Sequence, residues 1–331
     1  MTRWFNDVFQ FHNPWRHSKR RSAKYHEKPY VGKYKILYDL GYGSSGIVYM
    51  AMDPKTHHRY AIKELSKSRI HLQSRSLDLF YPHRKLEATE QPSFHQERSA
   101  PCKRRQVFKD SSCNEAALMQ QLHHPNIVRL VECINEPQID KFYLVMEMVS
   151  GATVMDIQPF TVIKTYDDSN CRMIFRQLVA AVEYLHSQNI LHGDIKPQNI
   201  LLTKEHQVKL IDFGSAISLD TMSSSFFKGN YTGTPAFMAP ELLRKGKHDP
   251  DTSIDIWSLG ITLFCLHEGY LPFESPNILQ LYEKIRSSRA PRLTKESPEL
   301  QDLLDGLLCN DPEKRLTMPE IKNHPWYLRD T

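Results

Sequence analysis

The pattern of hydrophobic and polar positions divides the chain into a strand-rich first half and a helical second half. Short apolar runs with the two-residue period of β-strands occupy residues 34–40, 47–52, 60–63, 127–133 and 142–148. A helical pattern interrupts them at residues 115–122, and beyond Gly151 the helical period dominates, as over residues 173–186. We therefore predict an α+β fold with a small β-rich lobe over residues 34–149 and a larger helical lobe over residues 150–326, followed by a short tail over residues 327–331.

Two segments fall outside this pattern, and they carry the basic charge of the chain. Residues 1–33 have a net charge of +6 and residues 67–111 of +5, whereas the remainder carries about −6. The first segment mixes aromatic and basic residues and is predicted to be a disordered tail, or else an arm whose aromatic side chains dock on the domain or on a partner. The second is predicted to be a mobile insertion over residues 67–113. Because the basic charge is peripheral, we expect no nucleic-acid function.

The cysteines and the apolar runs indicate the cellular setting. The six cysteines lie far apart and form neither a Cys-x-x-Cys pair nor a metal-ligand spacing with the histidines, which indicates free thiols in a reducing compartment. The first 30 residues lack the apolar stretch of a signal peptide, and no 18-residue apolar run occurs. We expect a cytoplasmic protein without a membrane span, and the cluster Lys19, Arg20 and Arg21 could also serve as a nuclear-import patch.

A short polar loop between apolar residues, at residues 190–201, contains candidate catalytic groups. The carboxylate of Asp194 could accept a proton from a hydroxyl nucleophile, and the ammonium of Lys196 could neutralise a transferring phosphoryl group. The amide oxygen of Asn199 could hold a metal ion. The alternative is a polar turn in which Asp194 only caps a helix, and the order of the other motifs decides between the two.

A glycine-rich stretch between two predicted strands supports a phosphate-binding site. Gly41, Gly43 and Gly46 have the Gly-x-Gly-x-x-Gly spacing, which in a dinucleotide-binding unit precedes a helix, but here residues 47–52 have the pattern of a strand. A hairpin of this kind brings bare backbone over phosphates that side chains would obstruct. The predicted nucleotide-binding hairpin comprises Leu40, Gly41, Tyr42, Gly43, Ser44, Ser45, Gly46, Ile47 and Val48.

Several further motifs follow the glycine-rich stretch in a fixed order. They are Lys63 at the end of Tyr60-Ala61-Ile62-Lys63, Glu115 on the next helix, Asp212-Phe213-Gly214, Ala239-Pro240-Glu241, Asp255, and Arg315 near the end of the chain. Together with the loop at residues 190–201, which has the spacing His-Arg-Asp-x-x-x-x-Asn with Gly193 in place of arginine, this set resembles a eukaryotic protein kinase over residues 34–326. A lysine two residues after the catalytic aspartate is similar to serine/threonine kinases rather than tyrosine kinases.

The resemblance implies a two-lobed protein kinase fold with ATP and Mg²⁺ bound between the lobes. Lys63, held by Glu115, would contact the α- and β-phosphates, and Asn199 and Asp212 would bind the metal ion. Asp194 would orient and deprotonate the substrate hydroxyl, supported by Lys196 and Thr234.

The resemblance also assigns the adenine site and a structural ion pair. Leu40, Val48, Ala61 and Leu201 would enclose the adenine, and backbone groups of Glu147 and Val149 would contact its edge. Met146 would close the back of the pocket, and Arg315 would pair with Glu241.

The chain resembles most nearly the calcium/calmodulin-dependent protein kinase kinase group and the fungal kinases that activate the AMP-activated kinase. The similarity lies in residues 233–241, in residues 124–128 and in a basic insertion before the Glu115 helix. It implies that the substrate is the activation loop of another protein kinase. The insertion is not markedly proline-rich, and the chain stops about five residues past Trp326, so we expect no calmodulin-binding helix and no calmodulin partner.

Two other functions are compatible with these motifs. A serine/threonine kinase with non-kinase substrates would need the same residues, because the motifs do not identify the protein substrate. A pseudokinase that serves as an interaction scaffold is favoured only by Gly193, whereas the presence of every phosphoryl-transfer group argues against it.

Overall fold

The structure, a computed structural model, describes residues 29–43, 46–68, 114–136, 138–221, 233–244, 251–287, 289, 291–294 and 297–329. The segments of the predicted tail and insertion at residues 1–28 and 69–113, and the predicted glycine-loop residues Ser44 and Ser45, lie outside the described residues. Within the described part a small sheet-rich lobe precedes a larger helical lobe, as the hydrophobic pattern predicts.

The small lobe contains an antiparallel sheet of six strands in the order β1-β2-β3-β4-β6-β5. The strands are β1 Tyr30–Val31, β2 Tyr34–Gly43, β3 Gly46–Met52, β4 Arg59–Ser66, β5 Leu130–Glu136 and β6 Lys141–Glu147. In this register Lys63 lies opposite Val48 on β3 and Leu144 on β6. Because successive side chains of a strand point to opposite faces, Ala61 and Lys63 share one face of the sheet while Ile62 faces the other.

The two faces of this sheet have separate cores. Helix α1, Asn114–Met119, contributes to the core that continues into the larger lobe, and Leu65, Leu144 and Met146 of the sheet belong to the same core. The opposite face forms a cluster of its own, with Val31, Tyr34, Ile36, Tyr49, Ala51, Ile62, Tyr143 and Val145. The sheet therefore places Lys63 on the face that meets α1 and the larger lobe.

The larger lobe consists of six helices and short paired strands within the described residues. The helices are α2 Asp168–Ser187, α3 Ser253–Glu268, α4 Ile278–Ser287, α5 Pro298–Leu307, α6 Met318–Asn323 and α7 Pro325–Leu328. The strands are β7 Gly151–Thr153, β8 Ile190–Leu191, β9 Ile200–Thr203, β10 Val208–Leu210 and β11 Ile217–Ser218. They pair as a three-stranded sheet in the order β10-β9-β7 and as the pair β11-β8.

Helix α3 is the centre of the larger lobe because it is buried along nearly its whole length. Trp257, Leu259 and Phe264 have no exposed surface, as expected for a helix that is apolar on all sides. The helix ends at Gly269, which has a left-handed backbone with φ of 80°. A Cβ atom at Gly269 would lie 2.3 Å from the Ile163 carbonyl oxygen, so the close approach of that loop requires glycine.

The segment after α1 is bound to the larger lobe rather than to the sheet. The Leu210 amide donates to the Asn126 carbonyl at 2.8 Å, and the Val128 amide donates to the Leu210 carbonyl at 3.0 Å. The Asn126 side-chain amide donates to Gln177 Oε1 on α2 and to the Val208 carbonyl, both at 2.9 Å. The predicted strand at residues 127–133 therefore starts too early, and β5 begins at Leu130 because residues 126–128 pair with β10 instead.

Other element boundaries also differ from the predictions. Helix α1 ends at Met119 and continues only as a turn, and α2 starts at Asp168 rather than at residue 173 because the Asp167 carboxylate accepts a hydrogen bond from the Asn170 amide at 2.8 Å and caps the helix. In the part of the chain that is described, every helix is too short or too polar to cross a bilayer.

Candidate active site

Three charged side chains meet where the small sheet, α1 and the larger lobe come together. Lys63 Nζ lies 2.7 Å from Glu115 Oε1 and 2.7 Å from Asp212 Oδ1. The Lys63 and Glu115 side chains are 6% and 8% exposed, so the pair that the sequence predicts is present and buried. Burial lowers the pKa of Lys63, but the two carboxylates outweigh it, and the net result is a raised pKa and a fully charged ammonium.

Asp212 is brought to this cluster by an unusual backbone conformation. Its φ is 64°, in the left-handed region, and Gly214 N lies 3.3 Å from its Oδ1 atom as a hydrogen-bond donor. Burial raises the pKa of Asp212, but the Lys63 ammonium outweighs this and the pKa lies below its usual value. A Cβ atom at Gly214 would lie 3.3 Å from Asp212 Oδ1 and 3.8 Å from Glu115 Oε2, so a larger residue there would crowd the charges.

The loop at residues 192–199 forms a compact network around Asp194. Lys196 Nζ lies 2.7 Å from Asp194 Oδ2 and 2.6 Å from the Thr234 hydroxyl. Thr234 donates to Asp194 Oδ1 from its backbone amide at 2.9 Å and from its hydroxyl at 2.7 Å. The Asn199 side-chain amide donates to the Asp194 carbonyl at 2.8 Å and to Asp194 Oδ2 at 3.0 Å. The predicted catalytic groups Asp194, Lys196 and Thr234 are therefore in mutual contact.

The protonation state of Asp194 follows from these contacts. Burial raises the pKa of the carboxyl group, while the Lys196 ammonium and the Thr234 hydrogen bonds lower it by more, so the net pKa is below the usual value. The carboxylate is ionised at neutral pH and can accept a proton. The two hydrogen bonds of the Asn199 nitrogen direct its carbonyl oxygen away from Asp194, which leaves that oxygen as a possible metal ligand.

A buried carboxylate on α3 holds the backbone of this loop. Asp255 Oδ2 accepts from the His192 amide at 2.9 Å and Asp255 Oδ1 from the Gly193 amide at 3.0 Å. His186 Nε2 lies 3.0 Å from Asp255 Oδ2. Burial raises the pKa of Asp255, but the hydrogen bond and charge of His186 outweigh it and the pKa is low. Gly193 has a φ of 75°, so the residue that replaces arginine adopts a conformation that glycine enters without strain.

His192 is a further residue of this network, to which sequence analysis gave no role. Its ring is completely buried and lies edge-on to Phe213, with 5.0 Å between the centroids. Burial lowers the pKa of His192, so the imidazole is neutral. In the sequence, only the position of His192 two residues before Asp194 indicates a role for this histidine. The contact of His186 with α3 spans 69 residues, and no sequence pattern indicates it.

The predicted adenine-binding residues lie on neighbouring positions of the sheet and of β9. Val48 is paired with Gly41 and Lys63, and Ala61 with Met50 and Met146, while Leu40 and Leu201 are buried. The Glu147 amide donates to the Arg129 carbonyl at 3.0 Å, so its carbonyl group is the one that could contact a nucleotide edge. The Val149 carbonyl accepts from the Gly151 amide at 3.0 Å, so the Val149 N–H is the group that could contact a nucleotide edge.

The glycine-rich hairpin is only partly described. Gly43 pairs with Gly46, and Tyr42 with Ile47, at the end of the β2-β3 ladder. Gly46 has a φ of 144°, and a Cβ atom there would lie 1.9 Å from the Glu64 carbonyl oxygen. Only glycine allows this close approach of β3 to β4, so the fold itself requires glycine at position 46, in addition to the predicted role of Gly46 at the phosphates.

The remaining predictions concern the segment after Asp212. Arg315 forms a bidentate pair with Glu241, at 2.6 and 2.8 Å, as the sequence predicts. Gly193 offers no cation to a phosphate on Tyr231 or Thr232, and Lys209 or Lys228 is the alternative basic partner that the sequence offers. Lys209 lies 2.7 Å from Glu147 Oε1. The other, Lys228, and the candidate phosphorylation sites Tyr231 and Thr232 lie outside the described residues.

Comparison with known proteins identifies the family. A model of the protein kinase domain matches residues 96–327. The chain is 35% identical over 95% of its length to a calcium/calmodulin-dependent protein kinase kinase of Caenorhabditis elegans, of which it covers 55%. It is 34% identical over 94% of its length to the serine/threonine-protein kinase ssp1 of Schizosaccharomyces pombe, covering 45% of that protein.

A third relative is the calcium/calmodulin-dependent protein kinase kinase cmkC of Emericella nidulans, 32% identical over 91% of the chain. The chain covers 58% of cmkC and so spans about half the length of these curated relatives. The similarity to the kinase kinase group and its fungal relatives is thereby confirmed. The chain belongs to the protein kinase family.

Proposed function

We propose that this protein transfers the γ-phosphoryl group of ATP to a serine or threonine hydroxyl of another protein kinase. The observation that carries the transfer reaction is the network in which the ionised Asp194 carboxylate contacts Lys196 and Thr234. Such a carboxylate is a proton acceptor at neutral pH, and the adjacent ammonium is a point charge suited to an oxygen of a transferring phosphoryl group.

The nucleotide would lie between the sheet and the larger lobe. Lys63, fixed by Glu115 and fully charged, would contact the phosphates, and the strands that carry Val48 and Ala61 would cover the adenine. A buried lysine stays charged only when anions surround it. The burial of Lys63 therefore fits a role in binding the anionic phosphates.

Two oxygen ligands fit a magnesium ion. The Asn199 carbonyl oxygen faces away from Asp194, and in the described contacts of Asp212 the Oδ1 atom is taken by Lys63 and Gly214, which leaves Oδ2. Mg²⁺ prefers carboxylate and carbonyl oxygens and commonly binds through one or two protein ligands together with substrate phosphates and water. When bound, the ion would neutralise charge on the β- and γ-phosphates.

In the proposed reaction a new bond forms between the substrate hydroxyl oxygen and the γ-phosphorus, while the bond from that phosphorus to the β–γ bridging oxygen breaks. The hydroxyl proton passes to Asp194, and ADP leaves with the bridging oxygen. Lys196 is held between Asp194 and Thr234 and would place its charge beside the transferring group. The phosphorylated protein and ADP are the products.

Two relatives support another protein kinase as the substrate, because each is named a protein kinase kinase. The similarity to both extends over more than nine-tenths of this chain. It therefore includes the segment around residues 233–241, where a bound protein substrate would approach Asp194.

The test is a transfer assay with radiolabelled ATP and Mg²⁺ against two kinds of acceptor. One is a panel of target kinases made inactive by mutation of their own catalytic aspartate, and the other is a generic basic protein. We expect phosphate on the activation segments of one or more target kinases, at a kcat/KM at least about tenfold above that for the basic protein. Equal transfer to both acceptors would favour a kinase with non-kinase substrates, and no transfer to either, with no difference from Asp194→Asn, would establish a scaffold.

A further inference from the structure

The residues that follow Asp212 are fixed at both ends by asparagine side chains. The Asn114 side-chain amide donates to the Ala216 carbonyl at 3.0 Å, and the Asn189 side-chain amide donates to Asp220 Oδ1 at 2.9 Å. Between these two contacts lies β11, which pairs with β8 through Ile217 opposite Leu191 and Ser218 opposite Ile190. Residues 216–220 are therefore attached to three separate parts of the chain: the start of α1, the strand before the catalytic loop and the end of α2.

The first contact joins this segment to the helix that carries Glu115. Asn114 is the first residue of α1 and the immediate neighbour of Glu115, whose carboxylate holds Lys63 at 2.7 Å. Helix α1 has only six residues, so a displacement of its first turn also displaces Glu115. The Asn114 hydrogen bond thus connects the position of Glu115 to the position of the chain four residues after Asp212.

The second contact depends on a backbone conformation that asparagine tolerates well. Asn189 has a φ of 54°, directly after the last turn of α2, and its amide donates to the His186 carbonyl at 3.0 Å. Its carbonyl accepts from the Leu219 amide at 2.7 Å. Asn189 therefore ends α2 and binds residues 219 and 220 through both its backbone and its side chain.

Both donors are uncharged amides, and this matters because the loop position before Asp194 has no cation. Gly193 presents no side chain, and its amide is bound to Asp255 at 3.0 Å. Contacts made by neutral amides do not require a phosphate group as their partner. They are formed in the chain as translated, with the asparagines donating to a carbonyl oxygen and to a carboxylate.

We propose that Asn114 and Asn189 are positioning residues that hold the segment after Asp212 and, through Asn114, keep Glu115 against Lys63. We refer to this pair of contacts as the asparagine clamp. The proposal rests on the proposed function for its effect on catalysis, but the clamp itself is a property of residues 114, 189 and 216–220. Neither residue contacts a substrate, so both act through other groups: Asn114 through Glu115, and Asn189 through Asp220 and the start of the segment.

The first variant to test the clamp is Asn114→Asp. The change is isosteric, but it removes the donor and places a carboxylate beside the Ala216 carbonyl oxygen. A negative charge in the first turn of a helix is favourable, so a merely structural role of Asn114 predicts unchanged or higher thermal stability and unchanged activity. The clamp predicts a loss of kcat/KM for ATP of about five- to tenfold, the range expected when one neutral hydrogen bond is lost, with no decrease in Tm.

The second variant is Asn189→Gly. Glycine keeps the left-handed backbone without strain and removes only the side-chain contact with Asp220. The matched control is Asn170→Ala on the first turn of α2, at the opposite end of this helix from Asn189, where the asparagine side-chain amide donates to Asp167 at 2.9 and 3.0 Å. We expect kcat to fall about fivefold in Asn189→Gly and to stay within twofold of the wild type in Asn170→Ala.

Amide hydrogen exchange provides a readout that does not depend on activity. In the full chain, the peptide that contains residues 213–220 should exchange at least about fivefold faster in Asn114→Asp and in Asn189→Gly than in the wild type or in Asn170→Ala. A double-mutant cycle between Asn114→Asp and Glu115→Gln, measured on ATP binding, should show that the effect of Asn114→Asp is at least halved when Glu115 has lost its charge.

The outcomes separate the clamp from the proposed reaction. If the wild type transfers phosphate but both variants match it within twofold in kcat/KM and in hydrogen exchange, the clamp is overturned while the proposed function stands. If no protein substrate is phosphorylated at all, the proposed function fails, and faster exchange of residues 213–220 in the two variants still establishes the clamp. Slower catalysis with unchanged exchange in both variants would also overturn it.

Discussion

The guanidinium group of Arg315 binds the carboxylate of Glu241 through two hydrogen bonds of 2.6 and 2.8 Å, with both side chains almost completely buried. Arg315 also lies over the Trp257 ring of α3, 5.2 Å from its centroid. The pair thereby connects the end of the segment that follows Asp212 to the central helix and to the chain near its C-terminal end.

We predict that Arg315→Ala lowers the free energy of unfolding by about 3–5 kcal/mol, because it leaves the Glu241 carboxylate buried without a partner. Chemical denaturation measures this quantity. The matched control is Arg329→Ala, whose pair with Glu299 is 64% and 50% exposed and 3.3 Å long, and it should cost less than about 1 kcal/mol. Equal losses in the two variants would contradict a special contribution of the buried pair.

Lys63→Arg and Asp194→Asn are each expected to abolish phosphoryl transfer without unfolding the domain. Arginine keeps the charge but changes the geometry at Glu115 and Asp212, and asparagine cannot accept the hydroxyl proton. Initial rates of transfer, with circular dichroism as the folding control, test both. Lys322→Ala, which removes an exposed pair with Glu183, should keep full activity. Activity within about tenfold of the wild type, a barrier change of about 1.4 kcal/mol, in either variant would refute the assigned role.

Replacement of residues 70–108 by a short glycine-serine linker should leave ATP affinity nearly unchanged and should alter the choice of protein substrate. The charge and the missing periodicity of this segment argue against a place in the core. Calorimetric titration with a nucleotide and the target-kinase panel measure the two effects. A large drop in Tm or in ATP affinity would instead assign these residues a structural role.

The activity of this kinase should not require phosphate on Tyr231 or Thr232. Gly193 offers no cation to such a phosphate, so its ordering effect would be small. Phosphatase-treated enzyme and the variants Thr232→Ala and Tyr231→Phe should keep most of their turnover. A decrease of kcat by about a hundredfold on dephosphorylation, equal to about 2.7 kcal/mol of barrier, with unchanged ATP affinity would show that loop phosphorylation is required.

The same reasoning predicts that Gly193→Arg does not raise basal turnover. The structure also predicts that Gly193→Arg is less stable than the wild type, because a non-glycine residue at a φ of 75° costs about 1–2 kcal/mol. A stability equal to that of the wild type would mean that the loop backbone rearranges to accept the side chain.

The pKa of Asp255 gives a stability prediction with a defined sign. A carboxyl group with a pKa lowered in the folded state stabilises the protein above the pKa of the unfolded chain, about 3.9, and this contribution is lost as the pH falls through the lower, folded-state pKa. Asp255→Asn removes the charge that holds His192, Gly193 and His186. The difference in free energy of unfolding between wild type and variant should therefore shrink as the pH falls below about pH 4. A difference independent of pH would exclude this origin.

Part of this arrangement could be predicted from the sequence because it depends on local periodicity and on motif order. The strands around Val48 and Ala61 alternate clearly, and the resemblance of the ordered motifs to protein kinases implies the partners Lys63–Glu115 and Glu241–Arg315. The start of β5 could not be predicted, since the apolar residues at 127 and 128 suit a strand of either sheet and their pairing with Leu210 spans more than eighty residues.

The asparagine contacts were equally inaccessible to sequence reasoning. Asn114 and Asn189 are polar residues at helix ends, where asparagine commonly occurs for purely local reasons. Their partners Ala216 and Asp220 lie 102 and 31 residues away. Only the three-dimensional arrangement distinguishes them from ordinary capping residues, and the same is true of the contact between His186 and Asp255.

The anchoring of residues 126–128 to α2 and β10 has a mechanical consequence. Since Asn126 is bound to Gln177 and Val208, this stretch moves with the helical lobe although it lies between two elements of the sheet-rich lobe. A rigid-body rotation of the sheet against the helical lobe would therefore have to bend the chain on both sides of residues 126–128, between this stretch and its neighbours α1 and β5.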